Sequence, residues 1–116
     1  LSGGEGDDRL FGDLGAAAME GGDGNDEVVY TNSRTAVSVN LETNTGSGGH
    51  AEGDTWNEVE RIIGSAFDDT LTGDTDGNRL NGGAGNDSID GGVGEDILAG
   101  GQGNDTINAG GDADNV

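Results

Sequence analysis

Apolar side chains recur along this chain at intervals of nine residues. Leu1, Leu10, Met19 and Val28 form one series, and Leu71, Leu80, Ile89, Leu98, Ile107 and Val116 form another. Neither the 3.6-residue period of a helix nor the two-residue alternation of a long strand produces that spacing. A fixed longer period marks a repeat architecture, in which each unit buries its apolar residue by stacking on its neighbours. The pattern predicts short strands with one inward residue each, separated by turns, and a thin aliphatic ladder as the core.

Glycine sets the frame of each unit. In Gly82-Gly83-Ala84-Gly85-Asn86-Asp87-Ser88-Ile89-Asp90, glycines stand first, second and fourth, a carboxylate sixth and the apolar residue eighth. The units Gly91 to Ala99 (with Gly92, Gly94 and Asp96) and Gly100 to Asn108 (with Gly101, Gly103 and Asp105) repeat it. Upstream, Gly64 to Thr72 and Gly73 to Asn81 keep the register with Asp69 and Asn78 in sixth place. At the other end, Gly3 to Phe11 (with Gly4, Gly6 and Asp8) and Gly21 to Val29 (with Gly22, Gly24 and Asp26) follow the same order. Two units are looser. Gly12 to Glu20 puts Ala17 in the acidic slot, and Ala109 to Val116 keeps Asp114 sixth, with Asp112 beside it. Both ends stop inside a unit, so the chain is expected to be a slice of a longer array.

The period fails between the blocks 1–29 and 64–116, because Val28 and Leu71 are 43 positions apart. Within 30–63, Val37, Val39 and Leu41 alternate with polar residues, which predicts a strand over roughly 35–41. Residues 43–53 are polar and Gly-rich and read as a loop, and 59–63 read as a second strand. Thr55 and Glu58 have the spacing of a capping box, which suggests a single helical turn near Trp56.

Charge changes the picture. The chain has 116 residues, 24 of them acidic and four basic, for a net charge of −20, with only 29% hydrophobic residues and no Cys or Pro. A polypeptide with so little apolar matter and so much like charge does not fold unaided. Such a surface repels nucleic acid and anionic membranes and attracts cations. No apolar run approaches the roughly 18–20 residues of a membrane-spanning helix. Partners are therefore expected to be cations, with neither nucleic acid nor membrane insertion.

The unit G-G-x-G-x-D-x-U-x, with U apolar, resembles the nonapeptide of the RTX (repeats-in-toxin, hemolysin-type) calcium-binding family over residues 3–29 and 64–116. That resemblance implies an all-β fold, a right-handed parallel β-roll. Six residues of each nonad form a turn, three form a strand, and two nonads complete a coil. Segment 30–63 is similar to insertions that interrupt long RTX arrays: Tyr30, then Val37 to Leu41, then an acidic stretch ending at Ser65. It is expected to widen the solenoid rather than form a separate domain.

Physical chemistry suits the resemblance. Calcium takes six to eight hard oxygen ligands, and backbone carbonyls with carboxylates supply them. Glycine allows the sharp turns and close approach that expose those carbonyls. With turns of one edge eighteen residues apart, five calcium sites are expected. These pair 3–8 with 21–26, 64–69 with 82–87, 73–78 with 91–96, 82–87 with 100–105, and 91–96 with 109–114. The expected ligands are the glycines and sixth residues named above, with Asp76 and Asp112 as further carboxylates. The turn 12–17 lacks its carboxylate and is expected to bind weakly or not at all.

Several other motifs compete. Asp74-Thr75-Asp76-Gly77-Asn78 hints at an EF-hand loop, but Arg79 and Gly85 stand where that loop needs Gly and Glu. His50, with Asp54 and Glu58 nearby, is the sole His and reads as a solvated loop residue rather than a catalytic or zinc-binding one. Trp56 and Tyr30 read as core before they read as a sugar-stacking platform. Asn86-Asp87-Ser88 and Asn104-Asp105-Thr106 match the glycosylation sequon only because they fill nonad positions five to seven. The expectation is a non-enzymatic module of a secreted or cell-surface protein, joined to the rest of a longer chain and folding when it meets calcium outside the cell. Alternatives are a calcium-stiffened adhesin or surface fibre that self-associates laterally or end to end, a polysaccharide-binding module, and an accessory domain of a secreted enzyme.

Overall fold

A computed structural model describes residues 2–112 and 114–116. The fold is all-β, with one 3-10 turn, Gly49–Ala51, as the sole helical element among the described residues. One sheet has eight strands, in the order β1 (Ser2–Glu5), β3 (Ala18–Asp23), β7 (Thr55–Asn57), β6 (Thr45–Ser47), β5 (Ser38–Asn40), β9 (Thr70–Thr72), β11 (Ser88–Asp90) and β13 (Thr106–Asn108). The other has five, in the order β12 (Ile97–Gln102), β10 (Arg79–Ala84), β8 (Arg61–Ile63), β4 (Glu27–Val29) and β2 (Arg9–Phe11).

Within the repeats, successive strands alternate between the sheets. Same-sheet neighbours pair in parallel at an offset of eighteen residues, with Leu80 opposite Leu98 and Ile89 opposite Leu71 and Ile107. A three-residue strand with its middle residue inward buries one side chain, so within the repeats the eighth position supplies the core ladder. Val28, Leu71 and Leu80 have no exposed surface, and Leu10, Met19, Ile89 and Leu98 are buried with them. Ile107 is only partly buried and Val116 is 69% exposed, so the ladder thins at that end, contrary to the expectation of an inward Val116. Leu1 lies outside the described residues.

Segment 30–63 enters the sheets unequally. It adds β5, β6 and β7 between β3 and β9 in the eight-stranded sheet, while β4 pairs directly with β8 in the other. β6 runs antiparallel between β5 and β7. The strand expected over 35–41 narrows to β5, and the strand expected over 59–63 is β8. The stretch 43–53 is no simple loop, since it holds β6 and the 3-10 turn. The helical turn expected near Trp56 is absent, because Trp56 pairs with Met19 as the inward residue of β7. Burying the indole in a strand outweighs a weak local capping preference. Trp56 and Tyr30 meet edge to face at 6.4 Å inside the core. His50, expected in solvent, is buried, with its N–H donating to Ser33 Oγ.

Candidate metal centres

The turns stack along two edges. Turns 3–8, 21–26, 58–60, 73–78, 91–96 and the segment after β13 lead from the eight-stranded sheet to the five-stranded one. Turns 12–17, 30–37, 64–69, 82–87 and 100–105 lead back.

Two features join each turn to the next on its edge. First, the sixth-position carboxylate pins the turn before it. Asp26 Oδ1 accepts from the Asp8 N–H, Asp87 from Asp69, Asp96 from Asn78, Asp105 from Asp87 and Asp114 from Asp96, all at 2.8–2.9 Å. Second, carbonyls from the second and fourth positions point at the next turn. A Cβ on Gly22 would strike the Gly4 carbonyl, and one on Gly24 the Gly6 carbonyl. The same holds for Gly101 against Gly83 and for Gly103 against Gly85. Gly92 and Gly94 likewise face the carbonyls of Asp74 and Asp76. Gly101 shows why glycine is required, because its φ of +91° and the Gly83 carbonyl each exclude a side chain.

The first-position glycines, Gly3, Gly21, Gly64, Gly82, Gly91 and Gly100, each lie against the Oδ2 of their own turn's sixth-position Asp, and Gly73 lies against Asn78 Oδ1. Next to them stand first-position carbonyls of the following turn: Gly21 O at Gly3, Gly82 O at Gly64, Gly91 O at Gly73 and Ala109 O at Gly91. The gaps after Gly3, Gly64, Gly73 and Gly91 thus gather carbonyl oxygens around one side-chain oxygen of the sixth residue, a carboxylate in all but the Asn78 turn.

The fate of that second oxygen separates the turns. Oδ2 of Asp8, Asp26, Asp87 and Asp96 is buried without a hydrogen-bond partner. Such an oxygen is costly to bury unpaired. At Asp69 and Asn78 the protein satisfies the corresponding oxygen. Asp69 Oδ2 accepts from the Ser65 N–H at 2.6 Å, and Asp69 Oδ1 from the Ser65 hydroxyl and the Val37 N–H. Asn78 Oδ1 accepts from the Asp74 N–H. Ser65 and Asp74 also hold the tips of their turns, accepting from Phe67 N–H and Asp76 N–H. Asp76 is exposed, and Asp112 Oδ2 is taken by the Gly94 N–H.

Sequence reasoning missed two sixth-position residues. Asp54 Oδ1 accepts from the Ala17 N–H, and Glu60 Oε2 from the Asp26 N–H, so both occupy the pinning slot inside segment 30–63. For Glu60 a signal existed: Glu60 and Ile62 stand nine residues before Asp69 and Leu71, but no glycine precedes them to mark the unit. Asp54 carries no such signal. It reaches Ala17 across 37 residues, and its Oδ2 accepts from the buried Tyr30 hydroxyl at 2.8 Å. The turn 12–17 is therefore closed by protein groups, and burial, reinforced by Asp54, pushes the Tyr30 phenol far above its ordinary range.

Burial also raises Asp69, Asp87, Asp96 and Glu60 above the usual carboxylate range. Neighbouring acids add to it: Asp69, Asp105 and Asp68 around Asp87, and Asp114, Asp74 and Asp112 around Asp96. Among the described residues, no three His, Cys, Asp or Glu side chains converge as a metal cluster. The carbonyl oxygens between the turns and the four orphaned carboxylate oxygens are hard donors that could hold a cation. Calcium matches this donor set in ligand type and tolerance of irregular geometry.

The family model of the RTX calcium-binding nonapeptide repeat matches in four copies, over residues 1–28, 63–98, 72–107 and 90–116. No curated protein matches the chain.

Proposed function

The chain belongs to the RTX calcium-binding nonapeptide repeat family, and from that premise we propose that it is a calcium-driven folding module of a secreted protein. The observation that carries this reading is the set of buried, unpartnered Oδ2 atoms on Asp8, Asp26, Asp87 and Asp96. A divalent ion between stacked turns completes these oxygens and offsets a net charge of −20. The repeats are structural and contribute no catalytic group.

In this reading the blocks 1–29 and 64–116 and the segment 30–63 form one continuous right-handed parallel β-roll. The parallel eighteen-residue register and the alternation of strands between sheets support it. Calcium is held by the carbonyls of the glycine turns together with the sixth-position carboxylates. Of the five gaps expected from the repeats, the three that contain Asp8, Asp87 and Asp96 Oδ2 are the strong ones. The gaps after Asp69 and Asn78 are weaker, because Ser65 and Asp74 have already taken their oxygens.

At micromolar intracellular calcium the sites are empty and the chain is unfolded, a state suited to export through a type I secretion channel. At about 1 mM outside the cell, a site with an affinity near 0.1 mM contributes about 1.4 kcal/mol. Far-ultraviolet circular dichroism during a calcium titration tests this, with magnesium as the control ion. A β spectrum is expected to appear with calcium and not with magnesium, which keeps its waters and demands octahedral geometry. A full β spectrum in chelator would overturn the folding switch.

A further inference from the structure

The nonapeptide pattern places every cation between two glycine turns, but one orphaned oxygen faces a turn that is not of that kind. Asp26 is fully buried, and its Oδ2 has no partner. The next turn along its edge is 58–60, only three residues long. From the position a Cβ would take on Gly21, Asp26 Oδ2 lies 2.6 Å away and the Glu58 carbonyl oxygen closer still. Gly3 sees the same arrangement of Asp8 Oδ2 at 2.6 Å and the Gly21 carbonyl at 2.8 Å. The Glu58 carbonyl thus stands where the first-position carbonyl of a nonad stands.

Two details make the short turn an imitation of a repeat. Glu58 has a φ of +53°, one of two non-glycine residues in the left-handed region among those described. Gly22 and Gly24 take the left-handed positions of the preceding turn, so the short turn adopts with Glu58 a backbone conformation that the nonad before it gives to glycine. Glu60 places its Oε2 on the Asp26 N–H at 2.9 Å, as Asp26 does for Asp8, and so brings a second carboxylate to the same gap.

We propose that Asp26 Oδ2, the Glu58 carbonyl and the Glu60 carboxylate form a further calcium site, in which a three-residue non-repeat turn replaces the second nonad. The site joins the first repeat block to the chain leading into the second. It rests on the calcium reading above, and its test separates the two.

The test combines calcium stoichiometry by isothermal titration calorimetry with terbium luminescence excited through Trp56. This is the chain's one Trp, and it lies two residues before Glu58. Glu60→Gln keeps an oxygen for the Asp26 N–H while removing the charge. It is expected to bind one calcium fewer than the wild type and to lose most of the Trp-sensitised emission. Asp8→Asn also binds one fewer, by losing the adjacent repeat site, but keeps that emission. Undiminished stoichiometry in Glu60→Gln overturns the site. If Glu60→Gln does not fold, Asp8→Asn decides: retained emission supports the site and its loss overturns it. A wild-type chain that binds no calcium overturns the whole calcium reading, whereas a calcium-binding wild type with an unaltered Glu60→Gln overturns this site alone.

Discussion

Asp87 Oδ1 accepts a hydrogen bond from the Asp69 N–H at 2.8 Å, while Asp87 Oδ2 is buried with no partner. The two oxygens of one carboxylate thus differ: one ties neighbouring turns together, and the other is left without a donor, free for the cation proposed above. Substitutions can separate these roles. Asp87→Asn keeps an acceptor for Asp69 and loses the charge, so it is expected to bind one calcium fewer and raise the calcium midpoint in circular dichroism. Asp87→Ala also strands the buried Asp69 N–H, adding a loss of about 1–3 kcal/mol. Equal midpoints for Asn and the wild type would remove Asp87 from the ligands.

Ser65 marks the opposite case. Its N–H and hydroxyl satisfy Asp69, and its hydroxyl also accepts from the Phe67 N–H. Ser65→Ala is expected to lower the stability of the calcium-loaded protein by about 1–3 kcal/mol with no reduction in bound ions. Chemical denaturation at saturating calcium measures the first and calorimetric titration the second. A lost ion would mean that the gap after Asp69 is a strong site after all.

Gly101→Ala tests the close approach of the turns. The new methyl group meets the Gly83 carbonyl, and the φ of +91° is strained for alanine. The calcium between 82–87 and 100–105 is expected to be lost, while Trp56-sensitised terbium emission persists. An unchanged ion count would show that the turns can separate without cost.

Acid should act in opposite directions with and without calcium. Burial raises Asp69, Asp87, Asp96 and Glu60 in the calcium-free fold, so the folded chain holds protons more tightly than the unfolded one. The unfolded-state values are about 3.9 for Asp and 4.3 for Glu. The associated stability is complete below those values and is lost as pH rises through the higher folded ones. In chelator, β structure is therefore expected to increase as pH falls from neutrality into the carboxylate range. In calcium, protons compete for the same oxygens, and the calcium midpoint rises over the same interval. Circular dichroism at stepped pH reads both, and a chelated chain that loses β structure on acidification would contradict the assignment.

Much of the fold was legible because its determinants repeat every nine residues. A three-residue strand buries one side chain, so Leu10, Val28, Leu80 and Leu98 could be placed in the core from spacing alone. Segment 30–63 was less legible because its contacts are long-range. Trp56 entered a strand by packing on Met19 and Tyr30, against the local hint of a helical turn. Nothing local to His50 foretold its burial.

By itself the sequence determined the period, the inward ladder, the glycine turns and the sixth-position carboxylates, since each follows from the local geometry of a nine-residue unit. Only the tertiary structure decided which carboxylate oxygens are free. Asp87 and Asp69 occupy the same slot in their units, yet Asp87 Oδ2 is orphaned and Asp69 Oδ2 is taken by Ser65. Asp54 and Glu60 fill that slot from outside any glycine-marked repeat, reaching Ala17 and Asp26 across 37 and 34 residues. A carboxylate's need for a cation depends on whether any donor reaches its second oxygen, and that is settled only when the neighbouring turns close around it.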